Sequence, residues 1–584
     1  MKKSFNLSPQ TITQNITKLQ NFMQQEGLDG FYVSSFDPYL NEYVPLEDCH
    51  RFYFSGFAGS VAEMLIPAKG KAKIYVDGRY HEQIDLEVPG DSVQAVKQTT
   101  SNAQALLADI KSMGMKKVGM EADRTSLGFL KQLEEVCETK AYFQNELASL
   151  VEFAVISAPK EIQFIARELR GRDTLEKIRD VFQNDKQGMF LAALDGIAWV
   201  TNCRGYHLPH LASFRSKALL TRKKVYVFVT ADTPISKQAS NIEGVEWIKV
   251  AHTQVMQELV HLQNTLHLEE MTYDPSMVNC ADFNMLLTVF GPELLKEKKG
   301  GLIEWMSIKE PTEIRAMEDN FRRGDKAIFE TIKWVKESVK NGKRVTEYDL
   351  WSQTSEQYRK QGAVEQSFNT IAGVGPNGSI IHYGNPSDEV VIKKDDMVLL
   401  DSGGYFASGF ATDTTRTFFA VPDGEADKEY KKIYTLVLKG VLACQTAVFA
   451  EGTKGNVLDG LARAPMMKHG FNFNHGTGHG VGIHVHEDGV RLSPISQLPM
   501  KAGQVVSIEP GIYVPGFGGV RIENIAVVEK HPEFKGFLHF RSLVFVGFDA
   551  NLIAAELLND EEKKQLVAYE KICAERGTSF ISQA

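Results

Sequence analysis

The chain has 584 residues, 43% of them apolar and 24% charged, with a formal net charge of -9. That length exceeds what a single hydrophobic core organises and suggests about three to four domains of an ordinary soluble protein. Lys and Arg are scattered without a basic stripe, no stretch of about eighteen apolar residues occurs, and the basic start has no apolar run behind it, so neither nucleic acid nor membrane is an expected partner and a cytoplasmic location is expected.

The first half contains an internal repeat. ITKLQNFMQQEGLDGFYVSSFDPYLNEYV, from Ile16, has apolar residues at helical spacing, then a glycine, then an alternating strand. LEKIRDVFQNDKQGMFLAALDGIAWVTN, from Leu175, repeats that grammar, and each copy runs on into another strand, KIYVDGRY from Lys73 and KKVYVFV from Lys223. Two similar α/β modules of about 150 residues are implied, meeting near Ala158 to Glu168. Six widely spaced cysteines form no CxxC and no disulfide framework.

A second boundary falls near Lys309. Ile314, Met317, Phe321, Ile328 and Val335 recur at helical steps, predicting a long amphipathic helix with Pro311 in its first turn. The expected domains are thus 1–160, 161–309 and 310–584. GVGPNG, Gly373 to Gly378, matches GxGxxG, but Pro376 interrupts it and SIIHYG reads as continuing strand, so a dinucleotide fingerprint is rejected. Further helices are expected over Glu425 to Glu451, with Cys444 on its apolar stripe, and over LNDEEKKQLVAYEKICAERG, with Asn559 and Glu562 as a capping box and Gly577 as its stop.

Between these helices lie two predicted hairpins. In MVLLDSGGYFASGFATDTTRTFF, Asp401 and Asp413 stand six residues either side of Ala407; in VVSIEPGIYVPGFGGVRIENIAVV, Glu509 and Glu523 stand seven either side of Gly516. Even separations about a central turn put each pair opposite one another on one sheet face. Carboxylates so crowded resist joint ionisation and call for a positive charge between them. His479, with glycines at 476, 478, 480 and 482 around it, is expected to approach this cluster closely. One imidazole and four carboxylates suit two divalent ions, Mn²⁺ above Zn²⁺ or Co²⁺, able to activate a water for hydrolysis. The helix–hairpin alternation predicts an α+β domain whose curved antiparallel sheet holds the acids.

In that order, LLDSGG, ATDTTRT, HGTGHGVG, SIEPGIY and VRIENIAVV resemble the metal-binding motifs of the methionine aminopeptidase, prolidase and aminopeptidase P superfamily, with its "pitta-bread" catalytic fold. DPYLNEYVPLEDCHRFYFSGFAGS with VDGRY, and LDGIAWVTNCRG, resemble the two creatinase-type N-terminal modules of three-domain cytosolic Xaa-Pro aminopeptidases. The resemblance spans nearly the whole chain. It implies that Asp401, Asp413, His479, Glu509 and Glu523 bind two metals, with Asp413 and Glu523 bridging and Glu509 handling the proton of the attacking water. It implies further that His382 and His486 surround the scissile bond and that His475 lines a proline pocket. Arg521, two residues before Glu523 on the same strand face, is placed beside the substrate as a partner for a carboxylate.

The implied reaction is removal of an N-terminal residue from peptides with proline second, by a homodimer. A proline pocket is physically reasonable because the tertiary amide has no N–H to satisfy. Prolidase, a dipeptidase, is the competing enzyme, but it usually carries one N-terminal module where this chain has two. A non-catalytic binding relative is the third reading.

Overall fold

The computed structural model describes residues 6–143, 146–154 and 157–580. Contacts divide the chain into two units, one of Met1–Phe164 with Arg172–Leu302 and one of Ile165–Gly171 with Ile303–Ala584.

In the first unit, helix α1 (Pro9–Glu26) opens on Ser8, whose side chain accepts from Thr11 N, and stops at Gly27, where φ is 65°. It buries Ile12, Ile16, Leu19 and Met23, the stripe expected of its spacing. Strands β1 (Gly30–Val33), β2 (Glu63–Pro67), β3 (Ala72–Val76), β4 (Val93–Lys97), β5 (Lys117–Glu121) and β6 (Glu138–Tyr142) form a sheet ordered β4-β3-β2-β1-β5-β6. Alternation along β1 sends Phe31 and Val33 to the core under α1 and Tyr32 to the opposite one. Each such buried aromatic or aliphatic side chain contributes about 1.5–3 kcal/mol.

The second copy begins with α2 (Thr174–Val181), opened by a capping box of Asp173 and Glu176. Its strands are β7 (Gln187–Leu191), β8 (Lys217–Thr221), β9 (Val225–Val229), β10 (Val245–Lys249), β11 (Glu270–Tyr273) and β12 (Leu295–Glu297), ordered β10-β9-β8-β7-β11-β12. Every strand takes the place of the one six numbers below it. Directions match too: β1 and β7 each have an antiparallel neighbour on one side and a parallel one on the other. The repeated sequence grammar is therefore a repeated sheet. The copies meet where Ser126 bridges Asn279, each the N-cap of its helix.

The second unit is α+β. It contains α3 (Pro311–Lys340) and α4 (Glu347–Lys360), then β13 (Ile371–Val374), β14 (Met397–Ser402) and β15 (Thr414–Phe419) as one three-stranded sheet. Helix α5 (Lys428–Gln445), strand β16 (Val448–Ala450) and helix α6 (Gly455–Met467) follow. Then come β17 (Gly478–Gly480), β18 (Glu487–Leu492), β19 (Val505–Ile508), β20 (Gly511–Val514), β21 (Gly518–Arg521), β22 (Asn524–Lys530) and β23 (Phe537–Ser542). The larger sheet is ordered β16-β23-β22-β19-β17-β18, and β20 pairs with β21. Helix α7 (Asp560–Arg576) ends the described chain, with the Asn559–Glu562 capping box and the Gly577 stop expected of it.

Two local expectations need correction. The helix expected to reach Glu451 ends at Gln445, and Val448 lies on β16, 45% exposed and paired with His539. Strand pairing across the sheet prevailed there over continued helix; Cys444 is core as expected. After β13 the chain forms a 3-10 turn, Gly375–Ser379, where continuing strand was expected, because Gly375 has φ 53° and Pro376 cannot donate to a ladder. Among the described residues, no helix is long and apolar enough to cross a membrane.

Candidate metal centre

The second hairpin has the predicted register. The ladder pairs Ile508 with Asn524 and Gly511 with Arg521, so Glu509 and Glu523 face one another at the break between β19–β22 and β20–β21. At that break their amides turn outward: Glu509 N donates to Thr477 O (2.7 Å) and Glu523 N to Thr415 O (3.1 Å). Two acids are thereby tied to the strands that carry the other donors.

The first hairpin is displaced from its predicted register. Asp401 pairs with Thr415, not Asp413, and Ser402 pairs with Thr414. Asp413 keeps the same face, diagonal to Asp401 and beyond the ladder's last pair. The cause lies at the tip of the hairpin, where Thr412 N donates to Gly404 O (3.0 Å), Tyr405 bridges Ala411 and Gly409 turns the chain at φ 65°, so the symmetry point is Ser408 and not Ala407. The glycines around His479 also make room for neighbouring strands. A Cβ on Gly478 would lie 1.8 Å from Ser507 O and one on Gly480 would lie 2.3 Å from Glu487 O. They admit the neighbouring backbones, and so let the short β17 lie between β18 and β19.

The acids and His479 converge. One donor atom each from Asp413, His479 and Glu523 lies within 4.8 Å of the other two. His479 Nε2 is 3.5 Å from Asp413 Oδ2 and 3.3 Å from Glu509 Oε1. Its Nδ1 is 3.0 Å from Gly480 O, an acceptor, which assigns the proton to Nδ1 and leaves the Nε2 lone pair free to meet a cation among the acids. Burial, then repulsion from Asp401 and Glu509, pushes Asp413 well above the usual carboxylate range. Burial and the charges of Asp413, Glu509 and Asp401 do the same to Glu523. Glu509 is raised by burial, with His479 and Arg521 pulling it back.

Two oxygens are left over. Asp401 Oδ1 and Glu523 Oε1 are buried and accept no hydrogen bond. A native structure leaves few buried carboxylate oxygens unmet, and four hard-oxygen acids with one imidazole form a donor set that fits divalent cations.

A polar line runs off one side. Arg521, buried, donates from Nη2 to Asp401 Oδ2 (2.6 Å), from Nε to Thr415 Oγ1 (3.1 Å) and from Nη1 to Tyr513 Oη (2.9 Å). Tyr513 Oη in turn meets His475 Nε2 at 2.9 Å. His486 packs edge-on to His479, with ring centroids 4.3 Å apart. His382 stands half-buried after the Gly375–Ser379 turn, whose Gly378 carbonyl backs onto Gly519, two residues before Arg521.

Residues 315–530 match the pattern of metallopeptidase family M24, and residues 15–150 and 157–313 match creatinase/prolidase N-terminal domains. A probable Xaa-Pro aminopeptidase P of Laccaria bicolor is 31% identical over 95% of this chain and 89% of its own. This chain belongs to metallopeptidase family M24. A second relative of the same name, from Pyricularia oryzae, is 30% identical over 97% of this chain and 96% of its own. The fold is that of the X-prolyl aminopeptidase of Caenorhabditis elegans, described as a cytosolic enzyme with a di-nuclear active site: TM-score 0.88, 23% identity, 98% of this chain and 96% of that one. The Xaa-Pro dipeptidase of Bacillus anthracis aligns over 98% of its own chain but 64% of this one, at TM-score 0.53 and 24% identity.

The M24 chain is thus a metallopeptidase with two creatinase-type domains ahead of its catalytic domain. Three residues of its acid cluster went unnoticed in the sequence. Thr415 Oγ1 donates to Glu523 Oε2 (3.0 Å), and Ser507 Oγ accepts from His479 N (2.9 Å) and donates to Glu509 Oε1 (3.3 Å). Tyr513 is the third. A signal for it existed: Gly511, opposite Arg521, has no Cβ, and one there would lie 2.5 Å from Tyr513 Oη, so the phenol crosses that gap to the guanidinium.

Proposed function

We propose that this M24 metallopeptidase is an Xaa-Pro aminopeptidase, which removes the N-terminal residue from peptides whose second residue is proline. The observation that carries the reading is a cluster in which Asp413, His479 and Glu523 converge, with unmet oxygens on Asp401 and Glu523, on a chain matched over nearly its whole length, N-terminal domains included, by relatives named Xaa-Pro aminopeptidase P. Asp401, Asp413, His479, Glu509 and Glu523 would hold two divalent ions, with Asp413 and Glu523 between them. The unmet oxygens of Asp401 and Glu523 support that assignment. Manganese is preferred over zinc or cobalt because four of five donors are hard oxygens.

When bound, such a pair of ions acidifies water for attack and polarises the carbonyl before proline. The side chains supply the rest. Glu509 takes the proton from the attacking water and passes it to the leaving imino nitrogen. His486 and His382 donate to the oxygen on which charge develops. His475 borders the proline ring, its Nε2 held by Tyr513. Arg521 keeps Asp401 turned so that Oδ1 faces inward. Domain limits of 1–160, 161–309 and 310–584, a homodimer and a cytoplasmic setting complete the proposal, the last supported by the description of the worm enzyme as cytosolic.

The test is metal-stripped protein reloaded with Mn²⁺, Zn²⁺ or Co²⁺ and offered an Xaa-Pro-Yaa tripeptide and an Xaa-Pro dipeptide. The expected result is release of the first amino acid from the tripeptide, fastest with Mn²⁺, and an intact dipeptide. Cleavage of the dipeptide alone would make the enzyme a prolidase. Metal binding without turnover of either would make it a binding relative. Sedimentation velocity reads the dimer.

A further inference from the structure

Glu347 is fully buried at the first residue of α4, outside the acid cluster. Four donors converge on its two oxygens. Oε1 accepts from Val374 N (2.9 Å) and Asn377 Nδ2 (2.9 Å), and Oε2 accepts from Tyr383 Oη (2.7 Å) and Ser387 N (3.2 Å). Asn377 Nδ2 also reaches Tyr383 Oη at 3.1 Å. A buried carboxylate is tolerable only when its lone pairs are met, and bonds to a charged acceptor are the strong ones. The start of α4 needs no help from it, because Thr346 and Asp349 close that capping box themselves. The carboxylate acts instead on the segment from Val374 to Ser387.

That segment carries His382. It leaves β13, whose Ile371 pairs with Asp401, and its turn backs onto β21, where a Cβ on Gly519 would lie 1.9 Å from Gly378 O. Val374 and Ser387 are its two ends, Asn377 lies in its turn, and Tyr383 is the residue after His382. One side chain from another element therefore grips both ends and the middle of the loop.

We propose that Glu347 is a positioning residue of the peptidase reaction: by gathering Val374, Asn377, Tyr383 and Ser387 on one carboxylate it fixes the place of His382 beside the scissile carbonyl. The inference rests on the reading that His382 acts on the substrate. Glu347 acts through the loop, so its whole catalytic effect passes through that histidine.

A double-mutant cycle in the metal-loaded, full-length enzyme tests this, with metal content and thermal midpoint read for every variant. Glu347→Gln keeps the shape but, whichever way the amide lies, turns an NH₂ toward a backbone N–H, that of Val374 or Ser387, which can only donate. Misplacing a reacting group by an ångström costs about 10²-fold, so kcat should fall by about that factor with KM little changed. In the His382→Ala background the same substitution should cost less than about twofold, the signature of two residues acting as a unit. An equal loss in both backgrounds, or no loss in either, overturns the inference and leaves Glu347 a structural residue. A His382→Ala enzyme with full kcat overturns the role of His382 instead, which separates the two failures. If Glu347→Gln does not fold, Tyr383→Phe enters the same cycle: a kcat loss present with His382 and absent without it supports the proposal, and any other pattern overturns it.

Discussion

Arg521 Nη2 and Asp401 Oδ2 meet at 2.6 Å, and this ion pair decides which oxygen of Asp401 is left for the cluster. Both groups are buried, so the pair is little screened, and the guanidinium serves Asp401, Thr415 and Tyr513 at once through its planar fork. An ammonium on a flexible stem lacks that geometry. Arg521→Lys is therefore expected to weaken metal affinity by about 10–100-fold while the fold persists, as loss of a group that orients a ligand does. Chelator competition against Mn²⁺ reads it, and unchanged affinity would detach Arg521 from the site.

Asp413→Asn and Glu523→Gln should abolish turnover, because a neutral amide does not hold two cations together. Full activity at full metal occupancy in either variant removes the two-metal assignment. His486→Ala should behave differently, lowering kcat by about 10²-fold or more with two metals retained. Loss of one metal equivalent in step with activity would make His486 a ligand.

Lys309 and Glu487 form a buried ion pair, and Lys309 Nζ also donates to Met306 O (2.6 Å). Glu487 directly follows His486. Removing one member leaves a buried charge, so Lys309→Met should cost about 3–5 kcal/mol in urea unfolding, and adding Glu487→Gln should restore a large part of it. Additive losses in the double variant would show that the two charges do not stabilise each other.

Burial pushes the Asp325 carboxyl up to about 7, against donation from Phe545 N. The folded chain then binds more protons than the unfolded one between pH about 4 and 7, so this residue's contribution is best below about 4 and is lost as pH rises through about 7. The full swing is about 4 kcal/mol, from a shift of about three units. Asp325→Asn keeps an acceptor for Phe545 N and removes the titration. Unfolding at pH 5 and pH 8 should show a smaller difference in the variant than in the parent, and equal differences would refute it.

The same substitution should have opposite signs at two glycines. At Gly478 a Cβ would lie 1.8 Å from Ser507 O, against backbone that cannot yield, so Gly478→Ala should destabilise by more than about 3 kcal/mol and lower metal affinity. At Gly460, inside α6, nothing lies within 4 Å of such a Cβ, so Gly460→Ala should stabilise by about 0.5–1 kcal/mol. Thermal midpoints distinguish them.

The sequence by itself determined what local periodicity and side-chain chemistry can carry. It specified the duplicated module, because each copy repeats the same run of helix, glycine and strand, and it singled out four of the five proposed donors, because carboxylates at even spacing about a turn share a sheet face. It specified the long helix through Pro311 and the last one through its caps. Glu509 and Glu523 were legible as an opposed pair because a single tight turn at Gly516 fixes their register.

Only the tertiary structure decided contacts between segments far apart in sequence. Asp401 pairs with Thr415 because the hairpin turns on Ser408, whose hydroxyl accepts from Asn320 Nδ2 on α3, and no period in the hairpin records that contact. The buried Arg416 donates to the carbonyls of Glu523 and Val546 and to Tyr569 Oη on α7, so a strand holding an acid is braced by the last helix. Glu347 belongs to the same class: in the sequence it is one more acid at a helix start, and its four donors come from residues 27 to 40 positions away. A buried charge is assigned its partners by packing, since the need to satisfy it is met by whichever groups the finished fold brings within reach.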